Sequence, residues 1–358
     1  MIDDNNQEYS DTNVASEDNA LCVDTLIKTS HVTKDISARK TYSKIALILV
    51  LIDLLAGVGQ IVLGMVVRDI GAASTENTML WVATFLPLYG VAIPIGVMLF
   101  NRMPKATAEP SSLSRKDFTF YLLCCFPMMY LGNLIGTLLS WALSSGTSSN
   151  ALYDYAFSTN PIKVVVIVFM APLLEEFVFR KMIIDHTSMY GEHYAILVSG
   201  LTFGLFHENL YQFFYAFALG MVFAVVYLRT RKLRYSVCMH AILNFLGAVV
   251  APWIVSKVDL KGLMKLEQQI LGGELPTDTD YLVQVASSFV GLLIYVVILL
   301  SVAIIGGSLF LRAKKRNDER ISILFRNDSS VSKRAVFLNT GMIIFYVICA
   351  AAIVLALL

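Results

Sequence analysis

The chain has 358 residues, of which 56% are hydrophobic and 15% charged, well short of the roughly one quarter charged that soluble domains carry. Its mean hydropathy is +0.66, and a formal net charge of +1 gives no sign of a nucleic-acid partner. Five cysteines (Cys22, Cys124, Cys125, Cys238 and Cys349) form no CxxC pair, so they read as small core residues and not as disulfides or metal ligands.

Residues 1–40 are polar and acid-rich and hold no apolar core near the start. They read as a disordered cytoplasmic tail and not as a signal peptide. Residues 41–358 read as one membrane domain, all-α, a polytopic helix bundle of about eight or nine spans. Candidate spans lie near Ile45–Val67, Met79–Phe100, Phe118–Leu143, Ile162–Ile184, Tyr194–His207, Phe213–Leu228, Val237–Val255, Val285–Leu311 and Val336–Leu358, each judged by apolar length against the roughly 20 residues that cross a bilayer. Tyr194–His207 is short for a full crossing. Basic clusters precede the first span (Arg39, Lys40, Lys44) and follow the second, sixth and eighth, whereas 144–160 holds no Lys or Arg. By the positive-inside rule this predicts a multi-pass cell-membrane protein with a cytoplasmic N-terminus and an external C-terminus. The loop 257–281 strains the rule, since it would be external yet holds Lys257, Lys261 and Lys265.

Charges inside a bilayer are costly unless paired or wetted, so each is a candidate for function. They cluster in one third of the chain. Glu175, Glu176 and Arg180 stand in the apolar run 162–184; His207 closes Phe203-Gly-Leu-Phe-His207; His240-Ala-Ile-Leu-Asn244 opens a later span. Glu176 and Arg180 are four apart and share a helix face, where they can pair. Glu175, rotated about 100° from Glu176, is left free as a general base. His240 and Asn244 are also four apart and can offer an imidazole and an amide donor to an oxyanion.

Each motif alone has an ordinary explanation. A Glu–Arg pair can be structural, a membrane histidine a satisfied polar residue or a proton relay, and the phenylalanines at 203, 206, 213 and 214 simple packing. Asp53, the clearest lone acid in a span, reads as an interhelical hydrogen-bonding group. Two carboxylates, two imidazoles and an amide on three helices are harder to explain by packing. HExxH is absent, since His207-Glu208 has Tyr211 where the second His belongs. The sequence also lacks GxGD and GxSG.

The three motifs in order, Glu175-Glu176-Phe-Val-Phe-Arg180, Phe203-Gly-Leu-Phe-His207 and His240-Ala-Ile-Leu-Asn244, resemble the CAAX protease and bacteriocin-processing family, also called Abi or CPBP. The resemblance covers 162–255. It implies an intramembrane endopeptidase of the CAAX prenyl protease type. Glu175 and His207 would activate water, His240 and Asn244 would stabilise the oxyanion, and Glu176, Arg180 and Phe203 would shape the site. It leaves open a metal-free or a metal-dependent mechanism; Glu175, His207 and His240 could serve as ligands for zinc. The implied partners are the lipid bilayer and a peptide or protein substrate, including a lipid-modified one. Two other readings stay in play: a non-catalytic scaffold or bacteriocin self-immunity protein of the same fold, and a transporter using Glu175 and Glu176 as a proton relay. A transporter would be expected to repeat its interrupted helices in two halves, and polar residues cluster in one region only.

Overall fold

In the computed structural model of the chain, residues 8–150, 152–273, 278–325 and 331–358 are described, and no strand occurs among them. The elements are α1 Glu8–Asp69, α2 Thr78–Phe100, α3 Arg115–Leu143, the short α4 Leu152–Phe157, and a continuous helix α5 over 162–187. They continue with α6 Glu192–Leu205, α7 Leu210–Thr230, α8 Leu233–Val255, α9 Leu260–Leu271 and α10 Thr279–Lys315. The short α11 Glu319–Ser322 and α12 Lys333–Phe337 lead to α13 Thr340–Leu357.

Seven of these helices, α1 from Val32, α2, α3, α7, α8, α10 and α13, are long and apolar enough to cross a membrane. The all-α polytopic bundle is therefore as expected. The two remaining sequence spans differ from the seven for physical reasons. The 162–184 run is one helix, long enough at about 1.5 Å per residue for a ~30 Å hydrocarbon core, but charged in its middle. Tyr194–His207 is the 14-residue helix α6, too short to cross unaided.

Residues 1–7 lie outside the described residues, and 8–40 continue α1. No proline or glycine occurs before Gly57, so nothing stops the helix from extending out of its anchored part. Its inner portion also docks: Ala38 is fully buried, Ser37 and Thr41 hydrogen-bond the Tyr190 hydroxyl, and Asp35 accepts from the Ser332 amide.

Proline sets the shape of several helices. Three stretches widen from α to π geometry, at Pro87–Ala92, Val164–Met170 and Leu246–Val250. Each is followed by a helical turn with proline in its second position, Pro94, Pro172 and Pro252. The ring clashes with the carbonyl four residues back and brings no N–H; a π turn relieves that clash. A fourth π stretch, Phe177–Met182, has no such proline and lies across the charged centre of α5.

Beside a small cluster at Val67, Ala72 and Ala83, two large apolar clusters form most of the core among the described residues. One gathers α1, α2, α13 and parts of α5 and α6; the other gathers α3, α7, α8, α10 and the segment after α11. Close backbone approach holds the second together. In α3, Pro127 cannot donate to Leu123, and the Leu123 carbonyl faces Gly306 of α10, where an added Cβ would stand only 1.9 Å from that oxygen. Glycine is what lets the two helices meet. Gly306→Ala is expected to destabilise the protein by about 1–3 kcal/mol, the usual cost of overpacking. Thermal unfolding in detergent measures this, and an unchanged midpoint would show that the α3–α10 contact is not needed.

A polar latch fixes the start of α5. Glu76, in the α1–α2 loop, accepts from the amide and hydroxyl of Thr159. Asn160 donates to the Glu76 carbonyl and to Thr78. The Thr159 bonds hold the Glu76 carboxyl below its ordinary range. This contribution is present above the unfolded-state value and is lost as pH falls through the depressed one.

Candidate active site

The site lies on the seam between the two clusters, with Phe203 of the first and Phe223 of the second packed against the same groups. Arg180 and Glu176, both fully buried, form a two-pronged pair: Nε donates to Oε2 at 3.0 Å and Nη2 to Oε1 at 3.1 Å. This is the partner that the four-residue spacing requires. Nη1 donates to the Ser199 hydroxyl at 3.1 Å, and that hydroxyl donates to the Phe179 carbonyl. The guanidinium lies 4.4 Å from the Phe203 ring centre and 5.6 Å from that of Phe223. A buried ion pair survives only when its remaining hydrogen-bonding groups are met and the geometry is good; here hydrogen bonds and ring faces surround it.

His240 bridges the two glutamates. Its Nδ1 stands 3.1 Å from Glu176 Oε1, and its Nε2 3.9 Å from Glu175 Oε2. Phe223 stacks on the imidazole at 5.5 Å and Phe203 meets it edge-on at 5.7 Å, which fixes the ring plane. An ionised carboxylate only accepts, so Nδ1 carries the proton toward Glu176. In the imidazolium form Nε2–H then points toward Glu175.

Glu175 differs from its neighbour as the helix geometry predicts. Its side chain is 19% exposed while that of Glu176 is 0% exposed, and its Oε1 accepts from the Tyr89 hydroxyl at 3.0 Å. Two adjacent residues thus have separate settings, one locked by arginine and one open. His207 also has a defined tautomer. Its Nδ1 lies 2.7 Å from the Phe203 carbonyl, which can only accept, so in the neutral ring Nε2 carries the lone pair. The ring stands edge-on to Phe203 at 4.9 Å. Phe203 therefore touches Arg180, His240 and His207 at once.

The short α6 explains how His207, at the far end of its segment, returns to the site. Helix side chains tilt toward the N-terminus, so the His207 ring folds back one turn over Phe203, itself packed on Arg180. The chain then reverses at Glu208, whose φ of 49° is left-handed, and α7 begins.

Asn244 is more occupied than an oxyanion donor need be. Its Nδ2 donates to the Ile167 carbonyl at 2.8 Å. In the π stretch the donor five residues beyond Ile167 would be Pro172, which has none. Asn244 supplies the missing partner and retains one N–H. Among the described residues, no three His, Cys, Asp or Glu side chains gather closely enough to hold a metal ion. Each histidine's Nδ1 is hydrogen-bonded, to the Phe203 carbonyl for His207 and to Glu176 for His240, which leaves Nε2 as the nitrogen that would face a metal, and His240 Nε2 lies 3.9 Å from the Glu175 carboxylate.

Sequence reasoning missed Tyr89, Ser199 and Phe223. The only signal was an uncharged polar or aromatic residue inside an apolar span, shared by many residues here.

Residues 157–246 match the family model for type II CAAX prenyl endopeptidase Rce1-like proteins. Among curated proteins, YdiL of Bacillus subtilis (strain 168), named as a candidate membrane peptidase, is 31% identical over 88 residues, 24% of this chain and 35% of that protein. The membrane-embedded CAAX protease MroQ of Staphylococcus aureus (strain USA300) is 31% identical over 108 residues, 28% of this chain and 43% of that protein. The chain thus spans less than half the length of these relatives. No solved structure matches. The resemblance read from the three motifs is borne out over the matched segment.

Proposed function

From the match of residues 157–246 to the Rce1-like family model, we propose that the protein is a membrane-embedded endopeptidase. Glu175, assisted by His207, takes a proton from water. The observation that carries this reading is the division of labour between the adjacent carboxylates, Glu176 sealed by Arg180 and Glu175 open beside Tyr89 and His240. Water adds to the scissile carbonyl carbon, and the oxyanion is received by the second amide N–H of Asn244 and by Nε2–H of His240, which acts here as the imidazolium with its Nδ1–H held by Glu176. The C–N bond then breaks as Glu175 returns its proton to the leaving amine. The substrate is a peptide or protein that reaches the site from the bilayer, lipid-modified chains included. The basic loops set the N-terminus in the cytoplasm; cysteine labelling of 231–234 from outside intact cells would reverse that orientation.

The test is cleavage of a lipidated and an unlipidated peptide series by purified protein in lipid discs, with and without chelator, wild type against Glu175→Gln. Equal cleavage by both proteins would remove Glu175 from the chemistry, and cleavage by neither would favour the scaffold reading.

Asn244 gives a separate prediction. Asn244→Ala removes an oxyanion donor, expected to cost about 2.7–4 kcal/mol of transition-state stabilisation, mainly in kcat, and it also strips the Ile167 carbonyl. Pro172→Ala restores a backbone donor there. Combined with Asn244→Ala it should recover stability without recovering kcat. Recovery of both would assign Asn244 to structure alone.

A further inference from the structure

Helix α9, Leu260–Leu271, joins two spans, α8 and α10, and is built unlike any of them. Its sequence LKGLMKLEQQIL turns about 100° per residue, so its side chains divide into three faces. Gly262 and Leu266, both buried, face the protein. An added Cβ on Gly262 would stand 2.6 Å from Val285 of α10, so the helix is seated tightly on that span. Asp259 caps it by accepting from the Gly262 amide, its own amide donates to Ser288, and Tyr281 donates to the Gly262 carbonyl. The orientation of α9 is therefore fixed by the protein.

The second face is apolar and bare. Leu260, Leu263, Met264, Ile270 and Leu271 are between 43% and 80% exposed. The third, opposite, carries Lys261, Lys265, Gln268 and Gln269. The protein-facing direction lies at roughly a right angle to the axis that joins the apolar and lysine faces. A helix beside a transmembrane bundle has that arrangement when it lies flat on the membrane, protein to one side, hydrocarbon beneath and water above. Trp253, at the end of α8, is 63% exposed, and Lys257 lies 5.8 Å from its ring centre. An exposed tryptophan next to a lysine marks the headgroup level.

We propose that α9 is an interfacial helix whose apolar face is covered by the headgroup–acyl boundary of the bilayer that the protein spans. The occupant follows from connectivity. With both flanking helices long and apolar enough to cross the membrane, α9 is held at its surface, and α10 beside it bears exposed apolar side chains of its own, Val283 at 67% and Val290 at 51%. Glu267 falls within the apolar arc. Its carboxylate sets the depth, keeping the helix at headgroup level instead of in the hydrocarbon. The proposal also accounts for the lysines of loop 257–281. They stand on a surface-lying helix, where long basic side chains reach the phosphate layer, and so they are not a free loop for the positive-inside rule to count.

The test uses the full chain in phosphatidylcholine discs with Cys22 and Cys238 replaced by serine. Spin labels are placed at Met264→Cys, Leu271→Cys and Lys261→Cys. The expected result is a ratio of oxygen to nickel-chelate collision rates severalfold higher at 264 and 271 than at 261. Nickel access equal at all three sites would place α9 in water and overturn the proposal. Low access to both reagents at 264 and 271 would show a protein surface, such as a second copy, in place of lipid, and would overturn it too. Glu267→Leu should raise the ratio at 264; a fall would refute the depth-setting role.

Discussion

Glu175→Gln is expected to lower the turnover of peptide cleavage by about 10²–10⁴, the range lost with a general base, while the protein remains folded. The side chain keeps its shape, and its Oε1 can still accept from Tyr89, so the loss isolates basicity. His207→Ala should give a similar loss. The double variant should be little worse than either, because both groups serve one water. Single-turnover rates on a cleavable peptide measure this. Additive losses in the double variant would mean that Glu175 and His207 act in different steps.

Arg180→Met carries the largest expected cost to stability, about 3–5 kcal/mol, because it leaves Glu176 charged and unpaired at full burial. The hydrogen bonds to Glu176 reduce to the one from His240, and Ser199 loses its donor. Glu176→Gln combined with Arg180→Met removes both charges and should recover much of the loss, since replacing a whole buried pair by apolar or neutral groups is often tolerated. A double-mutant cycle by denaturant or thermal unfolding in detergent reads the coupling. If the single and double variants are equally unstable, the loss does not come from the stranded charge of Glu176.

The charged centre was legible from the sequence because charge is scarce in an apolar chain and because a spacing of four residues fixes partners on a helix. Glu176 with Arg180 follows from that alone, and so does the separation of Glu175 from them. The span pattern was legible for the same reason: seven helices meet the length and hydropathy of a crossing. Three features were not legible. Tyr89 reaches Glu175 across 86 positions of sequence, and no local pattern signals such a contact. Asn244 reads as a free donor until Pro172 is seen to leave the Ile167 carbonyl without a partner, a pairing that exists only once α8 lies against α5. The continuation of α1 through 8–40 was obscured by composition. Polar, acidic residues argue for a solvated tail, and the docking of Ser37 and Thr41 on the Tyr190 hydroxyl joins positions about 150 residues apart.

The position of the site on the seam has an evolutionary consequence. Glu176, Arg180, His240 and Phe203 join the two halves of the core, so selection for a folded protein holds them whether or not any bond is cut. Glu175 and His207 lie at the margin of this network, each with one hydrogen bond, His207 edge-on to Phe203 and Glu175 at 3.9 Å from His240. In a lineage released from hydrolysis those two positions would drift first, while the arginine pair and its aromatic bed stayed in place. An intact EExxxR-like pattern with its second glutamate and arginine preserved is thus evidence of folding. Under the proposed mechanism, the first glutamate together with the histidine after Phe203 is the part of the sequence that would report on chemistry.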